Sequence, residues 1–295
     1  MFSKLKEKMK QIFLKKRVIL GTANFTQNYG ADQTKINLIQ IKKILNFALK
    51  NKINKIDTAE SYLKNNEMFK FTKDKFKLST KINPDIKWTS LKYCRDKIEN
   101  HIDKLNGTKI ETILFHDIKI LFHKEGRKIF NNLEILKKKR YFRKIGISIY
   151  DMDCLNYIIS NYKINIVQCP YNILDKRILK SNWLNKLQNK GIEVHVRSIF
   201  LQGLLVNKKF YKYKRFKKWK QKIANWFKSL EKNKISPIEY CLHDLLIRDF
   251  DKVVIGISKF EDFKEILDFK FKKNINKVIG LNIKDIKLID PRRWK

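Results

Sequence analysis

VILGTA (18–23) is a short apolar run with no helical period, and INLIQIKKILNFALKN (36–51) follows it with apolar residues at helical spacing. A buried strand passing into an amphipathic helix is the unit of a parallel α/β sheet, and here the unit recurs to the end of the chain. KIDTA (55–59) leads into a short helix through NNEMFKFTKDK (65–75), and FKLSTKI (76–82) into TSLKYCRDKIENHIDKLN (89–106), opened by a Thr89 or Ser90 cap. IETILFHD (110–117) precedes EGRKIFNNLEILKKKR (125–140), and RKIGISIY (143–150) precedes DMDCLNYIISNY (151–162), opened by Asp151 or Asp153. INIVQCPYN (164–172) precedes SNWLNKLQNKG (181–191), where Gly191 suits a helix C-terminus. IEVHVRSIF (192–200) is a seventh strand, and KVVIGIS (252–258) with FEDFKEILDF (260–269) makes an eighth pair.

Eight strands trailed by helices, in a chain a little longer than the usual ~250 residues, predict one α/β domain, a (β/α)8 TIM barrel over 18–295 behind a basic N-terminal extension, 1–17. A doubly wound sheet is the alternative, but no G-x-G-x-x-G follows the first strand. One region breaks the rhythm: NKKFYKYKRFKKWKQKIANWFKSLEKN (207–233) is a basic, aromatic insertion after strand seven. Aromatics interleaved with Lys and Arg suit nucleic-acid or sugar-nucleotide stacking. Phe216, Trp219, Ile223 and Phe227 also stand at helical spacing, and that period favours an apolar stripe packed on the barrel rim.

The 295 residues carry 43% hydrophobic content, enough for a full core. Lys plus Arg number 67 against 29 Asp plus Glu, a formal charge of +38. That charge attracts polyanions non-specifically. The excess lysine is spread over every polar helix face, so it reads as composition, and no specific nucleic-acid partner is expected. Cys94, Cys154, Cys169 and Cys241 stand singly, which argues against a zinc cluster and a disulfide framework. A reducing, cytoplasmic setting is the expectation. No apolar run approaches the ~18 residues of a membrane span, and the opening MFSKLKEKMKQIFLKKR lacks the apolar core of a signal peptide.

Active sites of such barrels lie at the C-terminal strand ends. Strand two ends in Asp57 with Tyr62 soon after, strand three in Lys81 and strand four in His116. A lysine and an aspartate leaving apolar strands each offset the other's desolvation, so Asp57 and Lys81 are expected to pair. A phenol beside that ammonium would have its pKa drawn down and could deliver a proton, while neutral His116 could orient a substrate oxygen. The set suits protonation of an oxygen that becomes alkoxide-like. His101 and His243 fall on helices, His123 in a loop and His195 inside strand seven, none at metal spacing, so no metal is expected.

GTANFTQNYG, IDTAESY, LSTK, LFHD, GIS, VQCPYN and RSIFLQGLL stand in the order, and on the strands, where aldo-keto reductases carry their motifs. From about Val18 to Asp268 the chain resembles that superfamily, in a bacterial branch found with genes for surface polysaccharide. The resemblance implies an NAD(P)H-dependent oxidoreductase that binds its cofactor, NADPH or NADH, across the barrel mouth and reduces a small-molecule aldehyde or ketone, a sugar or nucleotide sugar being the expected class. It makes Tyr62 the general acid, Asp57 and Lys81 its tuning pair, and His116 the group that orients the carbonyl.

The same resemblance assigns Gly21 and Thr22 to the first-strand backbone beside the cofactor, and Ser148 and Gln168 to the nicotinamide carboxamide. Ser198 and Leu201 match the loop over the pyrophosphate. Gly256, Ser258 and Lys259 match the turn that holds the adenosine 2'-phosphate, at a helix N-terminus suited to it. Four positions depart from the family pattern: Ile149 replaces an Asn, Arg197 the aromatic that stacks on nicotinamide, Ser258 an Arg, and Leu63 a Gly. A guanidinium can stack in the aromatic's place. A second class of function stays open, a barrel of reductase shape that binds a cofactor or polyanion as a regulatory module. The residues leave oligomeric state open.

Overall fold

The computed structural model describes residues 12–31, 35–63, 66–269, 275 and 278–294. Eight parallel strands close into a barrel in sequence order: β1 (Val18–Gly21), β2 (Lys55–Asp57), β3 (Lys77–Ile82), β4 (Ile110–Phe115), β5 (Lys144–Ser148), β6 (Ile166–Pro170), β7 (Glu193–Arg197) and β8 (Lys252–Gly256), which pairs back onto β1. The strands are apolar on both faces because one face fills the barrel and the other is covered by helices. Val18, Ile19 and Leu20 are all buried for that reason.

The helical layer is Leu38–Lys50, Leu91–Lys104, Gly126–Lys138, Leu155–Asn161, Trp183–Asn189, Lys220–Lys232, Pro237–Leu246 and Phe260–Leu267. Local chemistry sets where these helices begin. Ser90 caps the second by accepting from the Tyr93 N–H at 3.3 Å, as its position in the sequence suggests. Ser236 and Glu239 form a reciprocal capping box ahead of Pro237. Gly191, with φ +70°, ends the turn after Trp183–Asn189. Two expectations differ. The segment after β2 is a 3-10 helix, Glu67–Phe71, and the helix after β5 starts at Leu155 behind Cys154, with Asp151 accepting from the Met152 N–H instead of capping it.

The insertion after β7 builds a core of its own. Phe216, Ile223, Trp226, Phe227 and Leu230 are buried together with Leu281, Leu288 and Ile289 from the C-terminal segment, and the rings of Phe216 and Trp294 meet edge-on at 4.8 Å. The apolar stripe therefore packs on the rim, with its lysines outside. At the opposite end of the barrel, residues 12–17 are helical and Leu14 is buried in the main core, so this part of the basic extension is docked; residues 1–11 lie outside the described residues. Among the described residues no helix is long and apolar enough to cross a membrane.

Candidate active site

Main-chain bonds at the C-terminal strand ends bring the expected residues to one level. The Thr22 N–H donates to Asp57 O at 3.0 Å, Thr58 N–H to Ser79 O at 2.8 Å, and His116 N–H to Ile82 O at 2.9 Å. Asp57, Lys81 and His116 thus leave three adjacent strands side by side. Tyr62 closes a 3-10 turn, Glu60–Tyr62, through its N–H to Ala59 O at 2.9 Å.

Asp57 and Lys81 are 5% and 3% exposed and form an ion pair. Lys81 Nζ also donates to Thr58 O at 3.1 Å, and Gln168 Nε2 donates to the other Asp57 oxygen at 2.8 Å. Each charge therefore has the partners that burial demands. Burial still draws the Lys81 ammonium below its ordinary pKa, with Asp57 opposing it. The Tyr62 and His116 rings meet edge-on, centroids 6.2 Å apart. Burial, with Lys81 and Arg197 nearby, pushes His116 down to about 4, so it is neutral at pH 7.

Tyr62 differs from the expectation. Its pKa lies above the usual phenol range, raised first by burial and then by Tyr29 and Asp57, with Arg197 pulling the other way. The Lys81 charge is committed to Asp57 and Thr58, so desolvation of the phenol wins. The result is a phenol that keeps its proton at neutral pH.

These four residues line a cleft enclosing about 1190 Å³ of space, part of it open to solvent. Gly21, Thr22, Ser148, Arg197, Ser198, Gly256 and Ser258 line the same cleft. Gly256 has nothing within 4 Å of the position a Cβ would take, which leaves flat backbone facing the opening. The loop after β7 holds Ser198, Leu201 and Gln202 at φ between +46° and +61°, left-handed conformations that non-glycine residues adopt at a cost of about 1–3 kcal/mol each.

Three expected cofactor residues stand apart. Gln168 is fully buried and its amide N–H is directed at Asp57, beneath the cleft. Leu201 is fully buried behind the loop, and Lys259 is exposed just outside the lining as the residue preceding helix Phe260–Leu267. Arg197 lies with its guanidinium carbon 4.1 Å from the Tyr150 ring centroid and donates to Ile149 O at 3.2 Å. The Ile149 side chain, in place of an amide, is buried.

Other lining residues were less legible. Asn24 is buried, donates to Ile257 O at 2.6 Å and leaves its Oδ1 without a partner in the cleft wall. Such an orphaned acceptor fits a polar ligand. Asp262, in the first turn of Phe260–Leu267, puts a carboxylate on the Ser258 side, its pKa raised by burial. Tyr29 and Tyr150 complete the wall around Arg197. Asn24 and Tyr29 sat inside a quoted motif and Asp262 in the stretch GISKFEDFKE (256–265) matched to the 2'-phosphate turn, without being singled out, whereas Tyr150 carried no signal beyond following strand end five. Among the described residues no cluster of His, Cys, Asp or Glu forms a metal site.

The fold matches solved structures across its length. It superposes on an aldo-keto reductase from Bacillus halodurans with a TM-score of 0.67 at 18% identity, covering 95% of each chain. A glycerol dehydrogenase from Gluconobacter oxydans gives a TM-score of 0.65 at 19% identity over 93% of this chain and 94% of that one. An aldo-keto reductase solved in complex with NADPH gives 0.65 at 13% identity, covering 95% and 88%. No curated protein sequence matches the chain. The sequence model of the Aldo/keto reductase family matches residues 17–286, nearly all of the barrel whose strand ends carry Asp57, Tyr62, Lys81 and His116, and the chain belongs to that family of NAD(P)H-dependent oxidoreductases.

Proposed function

We propose that the protein reduces the carbonyl of a small aldehyde or ketone, with a sugar or nucleotide sugar as the substrate class, and that Tyr62 is the general acid. The observation that carries this reading is a buried, fully partnered Asp57–Lys81 pair in one cleft with a protonated phenol and a neutral imidazole. The bound dihydronicotinamide supplies the hydride. The chain supplies everything on the oxygen side. His116, uncharged at pH 7, donates a ring N–H to the substrate oxygen and fixes its direction. Tyr62 holds its proton against a weakly basic carbonyl and gives it up as that oxygen gains alkoxide character. Lys81, locked by Asp57, stabilises the phenolate left behind.

Gly21, Thr22, Ser148, Ser198, Gly256 and Ser258 are the residues we assign to the cofactor, with Asn24 added, while Arg197, first expected against the nicotinamide, stands beside Tyr62 and His116 in the same cleft. Gln168 then acts from beneath, by holding Asp57. Leu201 acts through the shape of its loop, and Lys259 through its charge at the rim. The test is to titrate NADPH into the protein while following tryptophan fluorescence, then to record NADPH oxidation with a panel of aldehydes and ketones. Saturable quenching with turnover of at least one carbonyl is expected; binding without turnover of any carbonyl would sink the proposal.

A further inference from the structure

Arg197 places a cation in the cleft wall that no carboxylate answers. Its neighbours are the Tyr150 ring, the Ile149 carbonyl, and the phenols of Tyr29 and Tyr62, close enough for their ionisation to feel the guanidinium. Among the described residues no Asp or Glu pairs with it, although the second guanidinium on the same ring, Arg292 at 3.6 Å from the centroid, is neutralised by Asp290. Asp57 is already taken by Lys81 and Gln168. A guanidinium carries five N–H donors in a planar fork, and bonds to the Ile149 carbonyl and the Tyr150 hydroxyl leave the others unspent. Arg197 is half-buried in the cleft wall, so its spare donors face the space a ligand would occupy.

We propose that Arg197 is the receptor for an oxyanion on the substrate, a carboxylate or a phosphate carried within a few bonds of the carbonyl that Tyr62 and His116 serve. This rests on the carbonyl-reduction reading. The Tyr150 ring packs against the guanidinium, 4.1 Å from its central carbon, and a planar guanidinium is suited to binding an oxyanion through two parallel hydrogen bonds. The phenol of Tyr29, which accepts weakly from Gln202 at 3.4 Å, keeps its O–H for the same anion. The position favours substrate over cofactor phosphates. Arg197 stands beside Tyr62 and depresses the pKa of both His116 and Lys81, at the reacting end of the cleft, while Asn24, whose Oδ1 lacks a partner, bonds Ser258 Oγ in the last turn at another.

The experiment uses two aldehyde pairs that differ only in charge, succinate semialdehyde against its methyl ester and glyceraldehyde 3-phosphate against glyceraldehyde, with wild-type, Arg197→Met and Arg197→Lys proteins. The wild type should prefer the anionic member of at least one pair, and the larger preference identifies the anion. In Arg197→Met that ratio of kcat/KM should fall about tenfold or more, and Arg197→Lys should restore part of it. Calorimetry of succinate and of inorganic phosphate with the NADPH-loaded protein gives a reading without turnover, and binding should be present in the wild type and lost in Arg197→Met. A ratio unchanged by Arg197→Met, or anion binding equal in both proteins, overturns the receptor. So does loss of NADPH affinity in Arg197→Met with the ratio intact, which would make Arg197 a cofactor residue. Absence of turnover with every aldehyde would overturn carbonyl reduction, while the calorimetry would still decide the receptor.

Discussion

At the scale of single residues, the Asp57–Lys81 pair decides what the cleft can do, because a buried ammonium without its carboxylate is costly. In the proposed mechanism Lys81→Met removes the charge that stabilises the Tyr62 phenolate but leaves the cofactor-lining residues in place. Turnover should fall by about 10²-fold or more, while the NADPH dissociation constant from fluorescence titration changes little; equal losses in both would mark the lysine as structural. Asp262 invites a second measurement. Its carboxylate faces the cleft on the side of Ser258, where the adenosine end of the cofactor is assigned. Asp262→Asn should therefore tighten NADPH several-fold more than NADH, since only NADPH brings a further phosphate to that charge. No gain for NADPH would place the adenosine elsewhere. Asp57, at the end of β2, was legible in the sequence because it belongs to a motif with Tyr62. Asp262 lies in a helical turn where an acidic residue is ordinary helix chemistry.

At the scale of elements, strand boundaries were readable because an eight-stranded parallel barrel buries both faces of every strand, which leaves continuous apolar runs. Departures occur where tertiary contacts outweigh local pattern. The segment after β2 has room for only five residues of 3-10 helix, in which Met68 and Phe69 are buried and Thr72 closes the turn on Phe69 O at 2.9 Å. The loop after β7 takes left-handed residues that no propensity would suggest. Helix Leu91–Lys104 offers a stability test. His101 is buried, its Nε2 lies 2.8 Å from Thr80 Oγ1 on β3, and its Nδ1 has no partner. Burial holds its pKa down at about 4 against 6.5 when unfolded. Below pH 6.5 the unfolded chain binds a proton that the native state refuses. The stability contributed is therefore complete above pH 6.5 and lost as pH falls toward 4, a change of roughly 3 kcal/mol. Denaturant titrations across that window should show the loss, and His101→Gln should flatten it; an unchanged slope would mean that His101 protonates freely in the native state.

For the molecule as a whole, the barrel, its single main core and the rim insertion followed from periodicity, while the charge of +38 said little about the site. The lysines sit on the outer helix faces, and the cleft is governed by a few buried groups whose net effect depends on pairing that composition cannot reveal. That is also why the direction of the Tyr62 shift was misread from the sequence: proximity to Lys81 suggested a lowered phenol pKa, but the ammonium is committed to Asp57 and burial prevails. The account then turns on one phenolic proton. The most direct test compares wild type and Tyr62→Phe for NADPH oxidation with the best carbonyl of the panel, alongside NADPH affinity. Removing a single hydroxyl should cost about 10²- to 10⁴-fold in kcat with the cofactor still bound; a Tyr62→Phe protein that turns over at the wild-type rate would contradict the assignment of Tyr62 as the acid.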